Sequence, residues 1–458
     1  MSLRTGRTCF GLHAIIQTAS VLSLLALSMT DRSVAGEFRS TVGERTIVRA
    51  SAFEPVPEEQ GSSGIEAPRQ MDVGSCGCAS CRSGSRMGRA CQVDNCGQSD
   101  CCGDAWLAEN DASNFWVRAD YLLWWRKGQS VPALVTTSGL SSAITDAGVI
   151  GEPTTSILLG QEDIGVQGRP GGRLVIGTWC DPCRVCSFEV DAFFLGKGKS
   201  HFAVSDADMP IIARPFLNVT DSQPIQQDSL VIAYPGIRSG SISVDSTSEV
   251  LGGDLHFRTL VCDYGRRRLD FQFGYQFSRI DESLTISSQT DANDLAANLL
   301  VRDEFSTRNE FHGGSLGLLY TVDSCQWTWR LLAKVGLGNM HQSAQLSGQQ
   351  TIDDGVAPIV SSTGLLVQST NRGIFTQDKF STVPELGISG IYHLTPCVDL
   401  SVGYTYLLWS NVLQPSGTID PNLAVNLSST PVTQRPTNPM NDGSYSVHGL
   451  NLGVQWRF

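Results

Sequence analysis

The last eleven residues, His448 to Phe458, read HGLNLGVQWRF. Leu450, Leu452, Val454, Trp456 and Phe458 fall on one parity, and Gly449, Asn451, Gly453, Gln455 and Arg457 on the other. A period of two sends successive side chains to opposite faces of a strand, so this stretch has one apolar face and one polar face. The apolar row runs to the terminal aromatic.

The same rhythm recurs upstream. Phe115, Val117, Ala119, Tyr121, Leu123 and Trp125 alternate with Trp116, Arg118, Asp120, Leu122, Trp124 and Arg126. It returns at Leu269–Phe277, at Trp327–Leu337 and at Val398–Leu408, and less cleanly in RLVIGTW, FEVDAFFLG, EVLGGDLHFRTLV, FHGGSLGLLY and FSTVPELGISGIYHL. With the C-terminal stretch this predicts about ten long strands, or twelve if residues 199–247 hide a hairpin. Composition agrees: charged residues are 17% against roughly 25% in soluble domains, and 46 of 458 residues are Gly. No run of about 18 apolar residues lies beyond the N-terminus, which excludes a helical membrane protein. The net charge of −12 argues against a nucleic-acid partner, because phosphate backbones demand positive charge.

The N-terminus predicts export. Arg4 and Arg7 precede the apolar AIIQTASVLSLLALSM, and Ser33 and Ala35 are the small residues a signal peptidase needs, so cleavage is expected after Ala35. The competing reading is a short buried helix. Residues 36–112 are rich in Gly, Ser, Pro and charge and read as an irregular segment. They hold Cys76, Cys78, Cys81, Cys91, Cys96, Cys101 and Cys102. In an oxidising compartment such a cluster reads first as disulfides. Cys78 and Cys81 form a CxxC, but no second pair at zinc-ribbon spacing and no nearby His accompany it, so no metal is expected. The domain reading is therefore a signal peptide at 1–35, a Cys-rich segment at 36–112 and a β-domain at 113–458.

Alternation alone separates no membrane barrel from a soluble β-sandwich. Four features favour the barrel. Eleven residues at about 3.3 Å each and a tilt near 40° rise roughly 28 Å, enough to cross an apolar band about 25 Å tall. Short turns (180–186, 262–267, 322–326 and 394–397) alternate with long polar stretches such as His201–Thr247 and Gln414–Asp442, the layout of outer-membrane barrels with short periplasmic turns. Cys180, Cys183, Cys186, Cys262, Cys325 and Cys397 all sit in or beside those short turns, which predicts disulfides between turns or to the Cys-rich segment. Aromatics gather near both strand ends, as in the two girdles of a barrel. The expected fold is all-β, an antiparallel up-and-down transmembrane barrel with long outer loops.

The segments FWVRADYLLWWRKG, GGRLVIGTWCD, FEVDAFFLGKG, RRLDFQFGYQFSRIDESLTI, WRLLAKVGLGNMHQ and HGLNLGVQWRF together resemble the beta-barrel porin-7 family, known chiefly from planctomycete bacteria. The resemblance spans about residues 114–458 and implies an outer-membrane barrel. Leu450, Leu452, Val454, Trp456 and Phe458 then look like the insertion signal captured by the barrel-assembly machinery. The expected partners are that machinery and outer-membrane lipid.

On the polar parity stand Arg118, Asp120, Arg126, Glu189, Asp191, Asp254, His256, Arg258, Asp270, Arg330, Lys334, Glu385 and Asp399. In a barrel they point inward, and their mixed signs predict a lumen of mutually neutralising pairs. Eight strands leave just enough room for side chains and 16 to 18 leave a channel, so about ten strands argue against a wide pore. Asp254 and His256 share a face, yet no nucleophile at a defined spacing joins them, and phosphate-binding Gly-rich loops are absent from the sequence. No enzyme and no cofactor is expected. The favoured reading is an outer-membrane barrel, a narrow channel or a structural barrel displaying its loops; the alternatives are a secreted β-sandwich adhesin or binding module, and a barrel enzyme with a site among the loops.

Overall fold

The computed structural model describes residues 114–166, 168–220, 224–424 and 434–458. The expected signal peptide and the seven cysteines from Cys76 to Cys102 lie outside the described residues.

Ten antiparallel strands close into one ring. They are β1 (Phe115–Arg126), β2 (Gly168–Trp179), β3 (Cys186–Ser205), β4 (Arg238–Asp263), β5 (Arg267–Ala292), β6 (Ala297–Ser324), β7 (Trp327–Asp353), β8 (Gly373–Thr395), β9 (Val398–Leu413) and β10 (Asp442–Arg457). Each pairs with its sequence neighbours, and β1 closes on β10 in the register Trp116↔Arg457 to Arg126↔Val447. At that seam the Phe458 amide donates to the Phe115 carbonyl at 2.8 Å, and the two rings lie 6.0 Å apart. A closed ring leaves no edge and is not the two-sheet sandwich that alternation alone left open.

The apolar parity faces outward at one end of the barrel. Leu316, Leu318, Trp329, Leu331, Leu386, Ile388, Leu400, Val402, Leu450 and Leu452 are each roughly half exposed. A band of exposed Leu, Val, Ile, Phe and Trp around a closed ring needs hydrocarbon to cover it.

Six of the strands outgrow that band. β3 to β8 run for 20 to 28 residues, whereas β1, β2, β9 and β10 run for 12 to 16. The 28 residues of β6 extend about 90 Å along the strand, far more than the lipid requires. Beyond the band the two rows exchange chemistry without changing parity. In β6 the outward row reads His312, Leu316, Leu318, Tyr320 at one end and Arg302, Glu304, Ser306, Arg308, Glu310 at the other. Its inward row passes from Ser315 and Gly317 to the buried Phe305 and Val301. In β4 the outward row changes between Glu249 and Leu251, beside a bulge where Ser248 pairs with Gly198 but Val250 pairs with Leu195.

The extensions correct one expectation. Residues between Phe277 and Phe311 form no long loop: β5 and β6 continue as a tall hairpin, register intact, to a turn at 293–296. The hairpin suspected within 199–247 exists at Ile212–Asn218 and Gln226–Ala233, but it lies outside the ring. With Val135–Thr137, Ser156–Leu159 and Asn422–Leu423 it makes a separate five-stranded sheet drawn from three loops. That sheet fills the hollow side of the wall formed by β3–β8. Val135, Ile212, Phe216, Ile232 and Leu423 pack with the wall residues Ile242, Val244, Leu284, Ile286, Phe305 and Leu346 in one buried apolar cluster.

Candidate functional site: the barrel lumen

Within the lipid band the lumen is ionic. Asp120, Glu189, Asp191, Asp254, His256, Arg258, Asp270, Lys334, Glu385 and Asp399 are buried there, Arg118 and Arg330 are partly so, and Arg126 is buried higher in the barrel. Lys334 on β7 donates to Asp254 on β4 at 2.7 Å and lies 2.6 Å from Glu385 on β8. Arg173 on β2 donates through Nε to Asp191 at 2.7 Å and reaches Glu385 at 3.3 Å. β2 and β8 are far apart in the ring, as are β4 and β7, so these contacts cross the interior. Nearer the turns, Arg258 meets Glu189 at 2.8 Å, Arg268 meets Asp270 at 2.7 Å, Arg118 meets Asp120 at 3.1 Å, and Asp399 accepts from Arg457 at 2.6 Å. Buried charges survive only when paired and hydrogen-bonded, and here nearly every one is. Arg330 is the exception, with no hydrogen bond or ion pair among the described residues. Asp254 and His256 do not form a dyad: Asp254 serves Lys334, and His256 faces Glu189 at 3.6 Å.

Above the ionic layer lies an apolar one. Leu122, Trp124, Phe193, Leu195, Val250, Ile280, Phe311, Met340, Val383, Leu407, Trp409, Tyr445 and Val447 form a single buried cluster to which nine of the ten strands contribute. Trp409 and Phe311 are fully buried and Trp124 is 1% exposed. The polar tips of this layer are satisfied: Trp409 Nε1 donates across the barrel to Ser278 Oγ at 2.7 Å, and Trp124 Nε1 to Asn451 Oδ1 of the neighbouring β10 at 2.7 Å. Arg126, just above, is paired with Glu282 of β5 across the interior.

The outermost layer is the dry core under the loop sheet. Its one buried ion pair, among the described residues of that core, joins Arg214 of the loop sheet to Asp303 of β6 at 2.6 Å, with both side chains essentially inaccessible. Asp303 also accepts from the Leu366 and Val367 amides at 3.0 and 2.8 Å, which fixes the β7–β8 loop. One carboxylate therefore ties two loops to the wall.

Parity reasoning did not single out Arg173, Glu282 or Asp303. Arg173 shares the parity of Val175 and Gly177 and was visible in principle; Glu282 and Asp303 lie in the stretch read as loop. In the short turns, Cys325 and Cys397 are disulfide-bonded, while Cys180, Cys186 and Cys262 carry thiols, with the Cys186 sulfur 3.2 Å from that of Cys180.

A closed ten-stranded ring with an apolar outer band, an ion-paired lumen and short turns at one end defines a bacterial outer-membrane β-barrel protein. The family described as Putative beta barrel porin-7 (BBP7) matches residues 116–458, and the chain belongs to it. Among solved structures the chain is similar to the outer membrane protease OmpT from Escherichia coli, at 9% identity and TM-score 0.38, covering 75% of this chain and 97% of that one. It is also similar to a Pseudomonas aeruginosa FadL homologue (7%, 0.20, 76% and 91%) and to the P. putida toluene transporter TodX (8%, 0.19, 76% and 90%). At these scores the likenesses bear on neither activity nor cargo. No curated protein matches the sequence.

Proposed function

We propose that this protein is a closed, non-catalytic scaffold that carries a rigid folded cap outside the outer membrane, and that it conducts no solute. The observation that supports this reading is the buried apolar layer around Trp124, Phe311 and Trp409, to which nine of the ten strands contribute and which lies between the ionic lumen and the outer face. The cap core above it is a second apolar barrier. The absence of catalysis is supported by the carboxylates of the lumen, which are engaged by Arg, Lys or His and so are not poised as a general acid and base. Residues 1–35 direct export in this reading, and the row from Leu450 to Phe458 is the segment that the assembly machinery captures.

Planar-bilayer recording tests the reading. Folded wild-type protein leaves the bilayer silent, while the double variant Trp124→Ala/Trp409→Ala, still heat-modifiable on gels, admits a measurable ion current. A steady ohmic current from the folded wild type refutes the closed scaffold.

A further inference from the structure

At the turn end of the barrel a recess of about 120 Å³ is lined by Arg184, Arg258, Arg330 and Arg457, with Trp116 and Trp179 among its walls. Among the described residues it has no carboxylate in its lining. Arg258, Arg330 and Arg457 crowd like charges around one small space, and the acids that pair with two of them stand behind the recess. Glu189 takes Arg258, and Asp399 takes Arg457. The Nε of each of these arginines is buried and makes no hydrogen bond among the described residues. Arg330 lacks even one such partner there.

The tryptophans hold the guanidinium planes without using their donors. Arg258 lies 4.9 Å from the Trp179 ring centre and 5.8 Å from that of Trp116, and the two rings are 5.3 Å apart. A cation on an aromatic face is attracted to the π-cloud while its N–H bonds stay in its own plane, free for a ligand. Trp116 can take this position because Gly177 lies beneath it; a Cβ there would collide with the indole ring.

We propose that this recess is a binding site for a tetrahedral oxyanion, a phosphate or phosphoryl group, entering from the periplasmic end. The four arginines come from four separate elements: the β2–β3 turn, β4, β7 and β10. Converging forks of this kind offer more donors than the two oxygens of a carboxylate can use, and they match the geometry of phosphate. The site does not depend on the lumen being closed, so it goes beyond the scaffold reading.

The test uses the full barrel folded in uncharged detergent micelles and titrated with inorganic phosphate, against chloride at equal ionic strength, by calorimetry and thermal melting. The expected result is saturable binding with a rise in Tm. Arg330→Gln weakens it roughly 10- to 100-fold, the effect of deleting one charge-assisted hydrogen bond, and Lys197→Gln on the outer surface leaves it unchanged. If R330Q does not migrate as a folded barrel, Arg184→Gln in the β2–β3 turn replaces it. A parallel titration with phosphatidylglycerol in the micelles identifies the source. Saturation by inorganic phosphate supports a soluble ligand, and saturation by the lipid alone supports a headgroup, in each case only if the arginine variant loses it. No saturable binding in either arm, or binding that the arginine variant leaves intact, overturns the site.

Discussion

The lower and upper halves of β5 share one ladder and one parity, yet they are chemically inverted. Below, Phe271, Phe273, Tyr275 and Phe277 face out, and Asp270, Gln272 and Gln276 face in. Above, Arg279, Asp281, Ser283, Thr285 and Ser287 face out, and Ile280, Leu284 and Ile286 face in. Nothing in the backbone changes at that height, because the register with β4 and β6 continues through it. What changes is the medium. Lipid surrounds the lower half, so the apolar row goes outside and polar groups must satisfy one another within. Water surrounds the upper half, so the apolar row turns inward to a dry core, as in any soluble β-domain. The level of inversion, between Phe277 and Ile280 in β5 and between Glu310 and His312 in β6, marks the outer lipid boundary. Aromatic–histidine pairs line that level: Tyr275 to His312 Nδ1 at 2.6 Å, and Tyr404 to His448 Nδ1 at 2.7 Å.

Substitutions that treat the halves differently test this contrast. The largest effect belongs to the upper core. Asp303→Ala leaves Arg214 buried and unpaired and frees the Leu366 and Val367 amides, at an expected cost of about 3–5 kcal/mol; urea unfolding in micelles, with hydrogen exchange at residues 364–367, reads it. Next comes an arginine scan along the outward row of β7. Leu331→Arg, in the lipid band, costs about 2–4 kcal/mol. Gln345→Arg, on the same row above it, stays within about 0.5 kcal/mol. Equal costs at the two positions would remove the distinction between the halves.

The smallest effect is confined to the cap. Asp420 is buried there, which pushes its carboxyl up, but hydrogen bonds from the Thr437 amide, Arg435 and the Asn422 amide outweigh burial and hold it below the ordinary Asp range. A depressed folded pKa contributes stability above the unfolded value of about 3.9, and that contribution is lost as pH falls through the folded pKa. The β9–β10 loop is therefore expected to gain hydrogen-exchange or protease sensitivity below about pH 4, and Asp420→Asn to show the same sensitivity at neutral pH.

Much of the lower half was legible in the sequence because lipid imposes one strict rule on the outward row. The terminal run Leu450–Phe458 and the rows at 269–277, 327–337 and 398–408 all obey it, and each is a barrel strand. The upper half escaped because RIDESLTISSQTDA, at 279–292, reverses the rule: Ile280, Leu284 and Ile286 are too few and too interrupted by Glu282, Ser288 and Thr290 to read as a row. Parity also says that Lys334, Asp254 and Glu385 point inward without saying which will meet. Lys334 and Glu385 are cross-strand neighbours on β7 and β8, but Lys334 to Asp254 and Arg173 to Glu385 join strands distant in the ring, and those follow from closure and shear, which one strand's pattern does not contain.

Site-directed spin labelling along β7 in reconstituted vesicles tests the inversion most directly, with single labels at positions 331, 344 and 345. The label at 331 is expected to respond to lipid-dissolved oxygen, the label at 345 to a water-soluble relaxant, and the label at 344, inside the cap core, to neither. A label at 331 that answers to the aqueous relaxant, with 345 indistinguishable from it, would contradict the account.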